Sequence, residues 1–268
     1  MEINETFNRK LFTDHLLITA IIAVVFWGSA VVLGMNGITI KDHPWITILQ
    51  GLGAFSTTIA SYIALKKNGK VTGFKAWIKN VFDFKHNALS YILVIALAFV
   101  QALLQCLIGG FELRAPLYMI VLMLPIMFVG GGMEEWGWRY ITFPELDKKF
   151  GFIIGAFITS IIWAVWHLPL FFIPDVHQYG QSFLGFTINV IGVGFAVAAI
   201  RKVTGSIWLC TLFHMIVNAI PESLGYDFYN PISSLITTII MIAISVMMVF
   251  LHKKRVHDAY SKETYCRL

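Results

Sequence analysis

Residues 115–139 read APLYMIVLMLPIMFVGGGMEEWGWR, an apolar run that ends in a glycine triplet, two adjacent glutamates and an arginine. From Ala115 to Met133 no Lys, Arg, Asp or Glu occurs, which is long enough for a helix to cross a hydrocarbon core about 30 Å thick. Seven further stretches lack those four residues over similar lengths: 15–40, 44–65, 87–111, 150–174, 179–200, 203–221 and 229–251. The chain is 57% hydrophobic and only 13% charged, whereas a soluble domain is about a quarter charged. Backbone facing lipid must satisfy its hydrogen bonds within its own segment, so these stretches must be helices. The expected fold is therefore all-α, a polytopic membrane bundle of about eight transmembrane helices.

Eight spans and short loops use almost all of the 268 residues, so residues 1–268 are expected to form a single membrane-embedded domain. The basic residues set its orientation. With the N-tail inside, Arg9 and Lys10 join Lys66, Lys67, Lys70, Lys75, Lys79, Lys85, Lys148, Lys149, Arg201, Lys202 and the C-tail residues Lys253, Lys254, Arg255, Lys262 and Arg267 on one side. That places seventeen of the twenty lysines and arginines on the cytoplasmic face, both termini included, as the positive-inside pattern demands. The net charge of +5 then belongs to loops facing anionic lipid head groups, and nucleic acid is not an expected partner. Within 66–86, Phe74, Trp77, Ile78, Val81 and Phe82 alternate with lysines, as in a short interfacial amphipathic helix.

Cys106, Cys210 and Cys266 are scattered, with no CxxC pair to suggest a disulfide framework or a zinc ribbon. The first apolar run is too long for a signal h-region and lacks a clear small-residue cleavage site, so no cleavable signal is expected. The fourth run is expected to continue as a helix past its polar residues to about Phe143, where Pro144 can stop it.

Glu134 and Glu135 are the acidic residues at membrane depth. A charge at the bilayer centre costs roughly 2.5–3.5 kcal/mol on the insertion scale, so both need partners. Neighbouring helical residues point about 100° apart, which separates their roles. Glu135 shares a face with Arg139, four residues on, in the favourable acid-before-base order. Glu134 is left without a sequence-local cation and suits a general acid or base. The glycines either let another backbone approach closely or serve ordinary small-residue packing.

His167 lies in WAVWHLP (163–169), where Pro169 cannot donate to the carbonyl of Val165 and frees an acceptor beside the imidazole. His214 and Asn218, four apart, share one helical face. Three separate spans thus supply carboxylate, imidazole and imidazole–amide.

This ordered set resembles the three motifs of the CPBP family, the CaaX proteases and bacteriocin-processing enzymes also called Abi proteins: Glu-Glu-x-x-x-Arg, aromatic-x-x-x-His and His-x-x-x-Asn. Here they are Glu134, Glu135 and Arg139, then Trp163 and His167, then His214 and Asn218. Trp163 stands where Phe is commoner. The motif-bearing core is about 115–220. The resemblance implies intramembrane endopeptidase activity on a membrane-associated or lipidated peptide or protein, with a substrate entering from the membrane. It implies that Glu134 and His167 activate water, that His214 and Asn218 polarise the scissile carbonyl, and that Glu135, Arg139 and Trp163 support them. No metal is favoured, because the carboxylate–histidine set suffices for general-base chemistry and no HExxH helix occurs. Zinc remains the alternative, with Glu134, His167 and His214 as ligands. Two other functions compete: a proton- or solute-coupled transporter, disfavoured because the sequence shows neither internal repeat nor clearly paired broken helices, and a non-catalytic scaffold such as a bacteriocin immunity protein. The expected location is a multi-pass one, in a bacterial plasma membrane.

Overall fold

Residues 6–265 are described by a computed structural model, with side chains described through Arg255. Cys266 and Arg267, and the Lys262 side chain, therefore lie outside the described residues. Every regular element within them is helical. Among the described residues, six helices are long and apolar enough to cross a membrane: α1 (Arg9–Met35), α5 (Ala88–Gly109), α9 (Phe152–His167, extended by a 3₁₀ turn Leu168–Phe172), α10 (Phe183–Thr204), α11 (Ile207–Leu224) and α12 (Pro231–Tyr265). Two bent pairs bring the total to eight: α2 (Ile46–Ala54) with α3 (Ser56–Lys67), bent by 45°, and α6 (Met119–Val129) with the helical stretch 132–150, bent by 41°. The protein is thus an integral multi-pass membrane protein, a polytopic helical bundle. The sequence did not betray these two breaks. Span two bends just after Gly51 and Gly53, and span four at Gly130 and Gly131, where missing side chains leave the backbone free to kink.

Polar caps mark several helix starts. Asn8, Asn87, Ser182 and Ser206 each accept from the backbone N–H three residues on, satisfying a donor that the first turn leaves unpaired. Gly205 and Gly225 end α10 and α11 in the left-handed region, which costs glycine nothing. The most enclosed span is α10. Its Gly192, Gly194, Ala196, Ala198 and Ala199 allow close approach of α9 and α12, the membrane form of tight helix packing. By contrast α1 and α12 lie at the rim, with exposed Ile21, Val24, Ile239 and Phe250.

The bundle has two distinct poles. At one, Asn8 N donates to Glu145 at 2.6 Å, Lys67 meets Asp14 at 2.8 Å and Lys202 meets Asp147 at 2.6 Å. The short helix α4 (Phe74–Val81) lies there with Trp77 and Val81 buried against Tyr62 and Trp136, as its amphipathic pattern predicts. At the other, Lys41 N donates to Asp175 at 2.9 Å and Arg114 N to Ser223 O at 2.8 Å.

Span four departs most from expectation. After α6 the chain makes a 3₁₀ turn (Gly132–Glu134), a single α turn α7 (Glu135–Gly137) and a π turn (Trp138–Thr142) before α8 (Phe143–Phe150). Pro144 does not stop the helix. It sits in the first turn of α8, where its missing N–H is tolerated. The carbonyl of Arg139 that a π-type bond from residue 144 would otherwise occupy accepts instead from Arg201 Nε, at 2.9 Å.

Candidate active site

The break at Gly130–Gly131 swings Glu134 and Glu135 inward. Glu135 and Arg139 are fully buried. Glu135 Oε2 lies 3.5 Å from Arg139 Nε, so the pair expected from their spacing is in place. The other oxygen, Oε1, accepts from His214 Nδ1 at 2.9 Å, a partner that no local spacing could reveal. Arg139 also lies over the Trp163 ring, 5.3 Å from its centroid, and Nη2 reaches Gly194 O at 3.4 Å.

Glu134 is buried but reaches a cavity. Its Oε2 accepts from the indole N–H of Trp163 at 2.7 Å, and its Oε1 stands 3.9 Å from His167 Nε2. His167 Nδ1 lies 2.9 Å from the Trp163 carbonyl. A carbonyl only accepts, so Nδ1 carries the hydrogen and Nε2 of the neutral ring turns a lone pair toward Glu134. The carbonyl expected beside His167 was that of Val165. It is instead taken by the Leu168 N–H as the helix tightens into its 3₁₀ end. Trp163 thus fixes both members of the pair, the carboxylate through its indole and the imidazole through its backbone.

Asn218, half-buried, follows one turn after His214 on α11. A Cβ on Gly131 would strike the Asn218 amide and come within 3.0 Å of His214 Nε2. This glycine therefore serves close approach of its backbone to the two polar groups. Gly132, against Thr211 and Met215, and Gly137, against Thr57 and His15, serve helix packing. Gly131→Ala is expected to displace the imidazole and amide, as overpacking costs about 1–3 kcal/mol. Turnover of purified protein should fall well beyond what its melting temperature loses; parallel small losses would mean that the approach is incidental.

The sequence-predicted set comes together: Glu134, Trp163, His167, His214 and Asn218 line one cavity of about 730 Å³, and the fully buried Glu135 and Arg139 stand behind them, against His214 and Trp163. Sequence reasoning missed other walls of that cavity, among them Gln101 and Asn189. Their side chains are joined at 3.1 Å, and Gln105 Nε2 shares the same Asn189 oxygen at 3.0 Å. The available signal was a polar residue within an apolar span. His15 was missed likewise; buried in α1, it bonds Thr142 Oγ1 at 3.1 Å and braces the π turn. At the cavity mouth, burial pushes the phenols of Tyr226 and Tyr229 above their usual values, so both remain neutral donors. Among the described residues no three His, Cys, Asp or Glu side chains converge to hold a metal ion. His214 Nδ1 is turned to Glu135, which fixes the ring and leaves its Nε2 uncommitted.

Comparison with known proteins adds two likenesses. Residues 116–220 match the family described as Type II CAAX prenyl endopeptidase Rce1-like. CAAX prenyl protease 2 of Methanococcus maripaludis is 25% identical over 238 residues, covering 82% of this chain and 86% of that protein.

Proposed function

Because this chain belongs to the CaaX protease (CPBP) family of intramembrane endopeptidases, we propose that it hydrolyses a peptide bond of a membrane-associated or lipidated substrate with water activated by Glu134 and His167. The observation that carries this reading is the arrangement of Glu134 Oε1 and His167 Nε2, two acceptors 3.9 Å apart. One water can donate to both, which leaves its oxygen lone pair free to attack. As the carbon–oxygen bond forms, the water proton passes to Glu134, and Glu134 then returns it to the departing amine as the carbon–nitrogen bond breaks. The developing oxyanion is received by the Asn218 amide and by His214 Nε2. A ring that donates from both nitrogens is a cation, and the Glu135 carboxylate on Nδ1 balances its charge. Such preorganised donors contribute more in a buried site than they would in water.

Membrane lipids surround the protein in this reading, and the N- and C-tails lie with the basic loops on the cytoplasmic side. The test is proteolysis by purified protein, using peptides recovered from membranes that contain the active chain or its Glu134→Ala variant. Cleavage that depends on Glu134 is expected, and it should survive rigorous chelation. Loss on chelation with recovery on stoichiometric zinc would reassign Glu134, His167 and His214 as metal ligands. Identical peptide profiles from the two membranes would return the chain to the scaffold reading.

A further inference from the structure

The cavity has its charged rim at one pole of the bundle. Its rim is formed by Arg114, His177, Gln181, Glu222 and Asp227. These belong to the connections that follow α5, the 3₁₀ turn after α9, and α11, or to the last turn of α11 itself. That is the pole where Lys41 meets Asp175 and Arg114 meets Ser223. Among the described residues, no lining side chain comes from residues 66–87, 144–151 or 201–206, which carry ten of the twenty lysines and arginines. The basic pole is tied shut beneath the site. Arg201 holds the Arg139 carbonyl, Lys202 holds Asp147, and Asn8 N holds Glu145.

Basic loops stay in the cytoplasm. Resting on the reading of this cavity as a protease site, we propose that the substrate enters from the extracytoplasmic face: a translocated peptide, or a segment held at the outer leaflet, threading past the charged rim toward Glu134. The cavity falls within the usual range for sites that enclose a small ligand. Near the bond to be cut its wall is aromatic, with Phe186 5.0 Å from the His167 ring and 6.1 Å from that of Tyr229, so an apolar side chain is favoured there. A prenylated tail anchored in the cytoplasmic leaflet would meet the closed pole instead.

The test uses the full chain in intact cells and a membrane-impermeant maleimide, with the parent chain as the baseline for its native cysteines. Gln181→Cys on the rim, and Asp227→Cys on the facing connection as a second reporter should the first fold poorly, are expected to label from outside. Lys79→Cys should label only after permeabilisation. The reverse pattern overturns the proposal. In detergent, attaching a bulky maleimide to Gln181→Cys should abolish most turnover of an internally quenched peptide, whereas the same adduct at Lys79→Cys should not. Unchanged turnover after rim modification would also overturn it. Labelling requires no catalysis, so it decides which side the rim faces independently of the protease reading. Peptide cleavage that persisted in Glu134→Gln would instead remove Glu134 as the group that activates water.

Discussion

Replacing Glu134 by Gln is expected to lower turnover by at least about 100-fold, the low end of what a positioned acid or base contributes. The substitution keeps size and polarity. The Trp163 indole, 2.7 Å from Oε2, can still donate to the amide oxygen, so the helices need not move and the melting temperature should stay near that of the parent. What is lost is the group that takes the proton from water. The prediction is a decoupling, severe in turnover and slight in stability. Near-normal turnover would remove Glu134 from the mechanism.

The second large effect falls on stability. Arg139 is fully buried, and its Nε and Nη1 have no hydrogen-bond partner among the described residues beyond the 3.5 Å approach to Glu135. Glu135→Gln would strand that guanidinium, and stranding one member of a buried pair costs about 3–5 kcal/mol. Arg139→Gln in the Glu135→Gln background should then add little further loss. The amide oxygen introduced at 135 can still accept from His214 Nδ1, so turnover should fall less than in Glu134→Gln. A double-mutant cycle on detergent-solubilised protein, followed by melting and by turnover, measures both effects. Additive stability losses would show that the two residues do not act as a pair.

Much of this architecture could be read from the sequence, for a plain physical reason. Charge is so expensive in hydrocarbon that uncharged runs mark the spans, and the charges left inside them mark the site. Glu134, Glu135, Arg139, His167, His214 and Asn218 were each conspicuous on that ground, and they converge. The eight spans were likewise legible, while the breaks at Phe55 and at Gly130–Gly131 were not. A bend needs only permissive residues together with neighbours that hold it, and those neighbours are distant in the chain. The same limit hid the Glu135–His214 bond, 79 residues apart, and the indole of Trp163. The family pattern marks that tryptophan as a supporting aromatic, but its N–H meets a carboxylate 29 residues away, which no local spacing discloses. Pro144 misled for a related reason. It falls in the first turn of α8, where a missing N–H is tolerated, and Arg201 satisfies the Arg139 carbonyl.

The wide separation of Glu135 and His214 has a consequence for biogenesis. His214 is translated 79 residues after Glu135, an interval of about 4–16 s at the usual 5–20 residues per second. Throughout that interval the fourth span must reside in or beside the insertion machinery with its acidic pair already made. Arg139, on the same helix and four residues along, is available at once and can neutralise Glu135 before any other span arrives. The arginine therefore acts as a temporary escort for the nascent segment as well as a fixture of the finished site. On this account, its removal should show first as poor membrane insertion, even where assembled protein would tolerate the change.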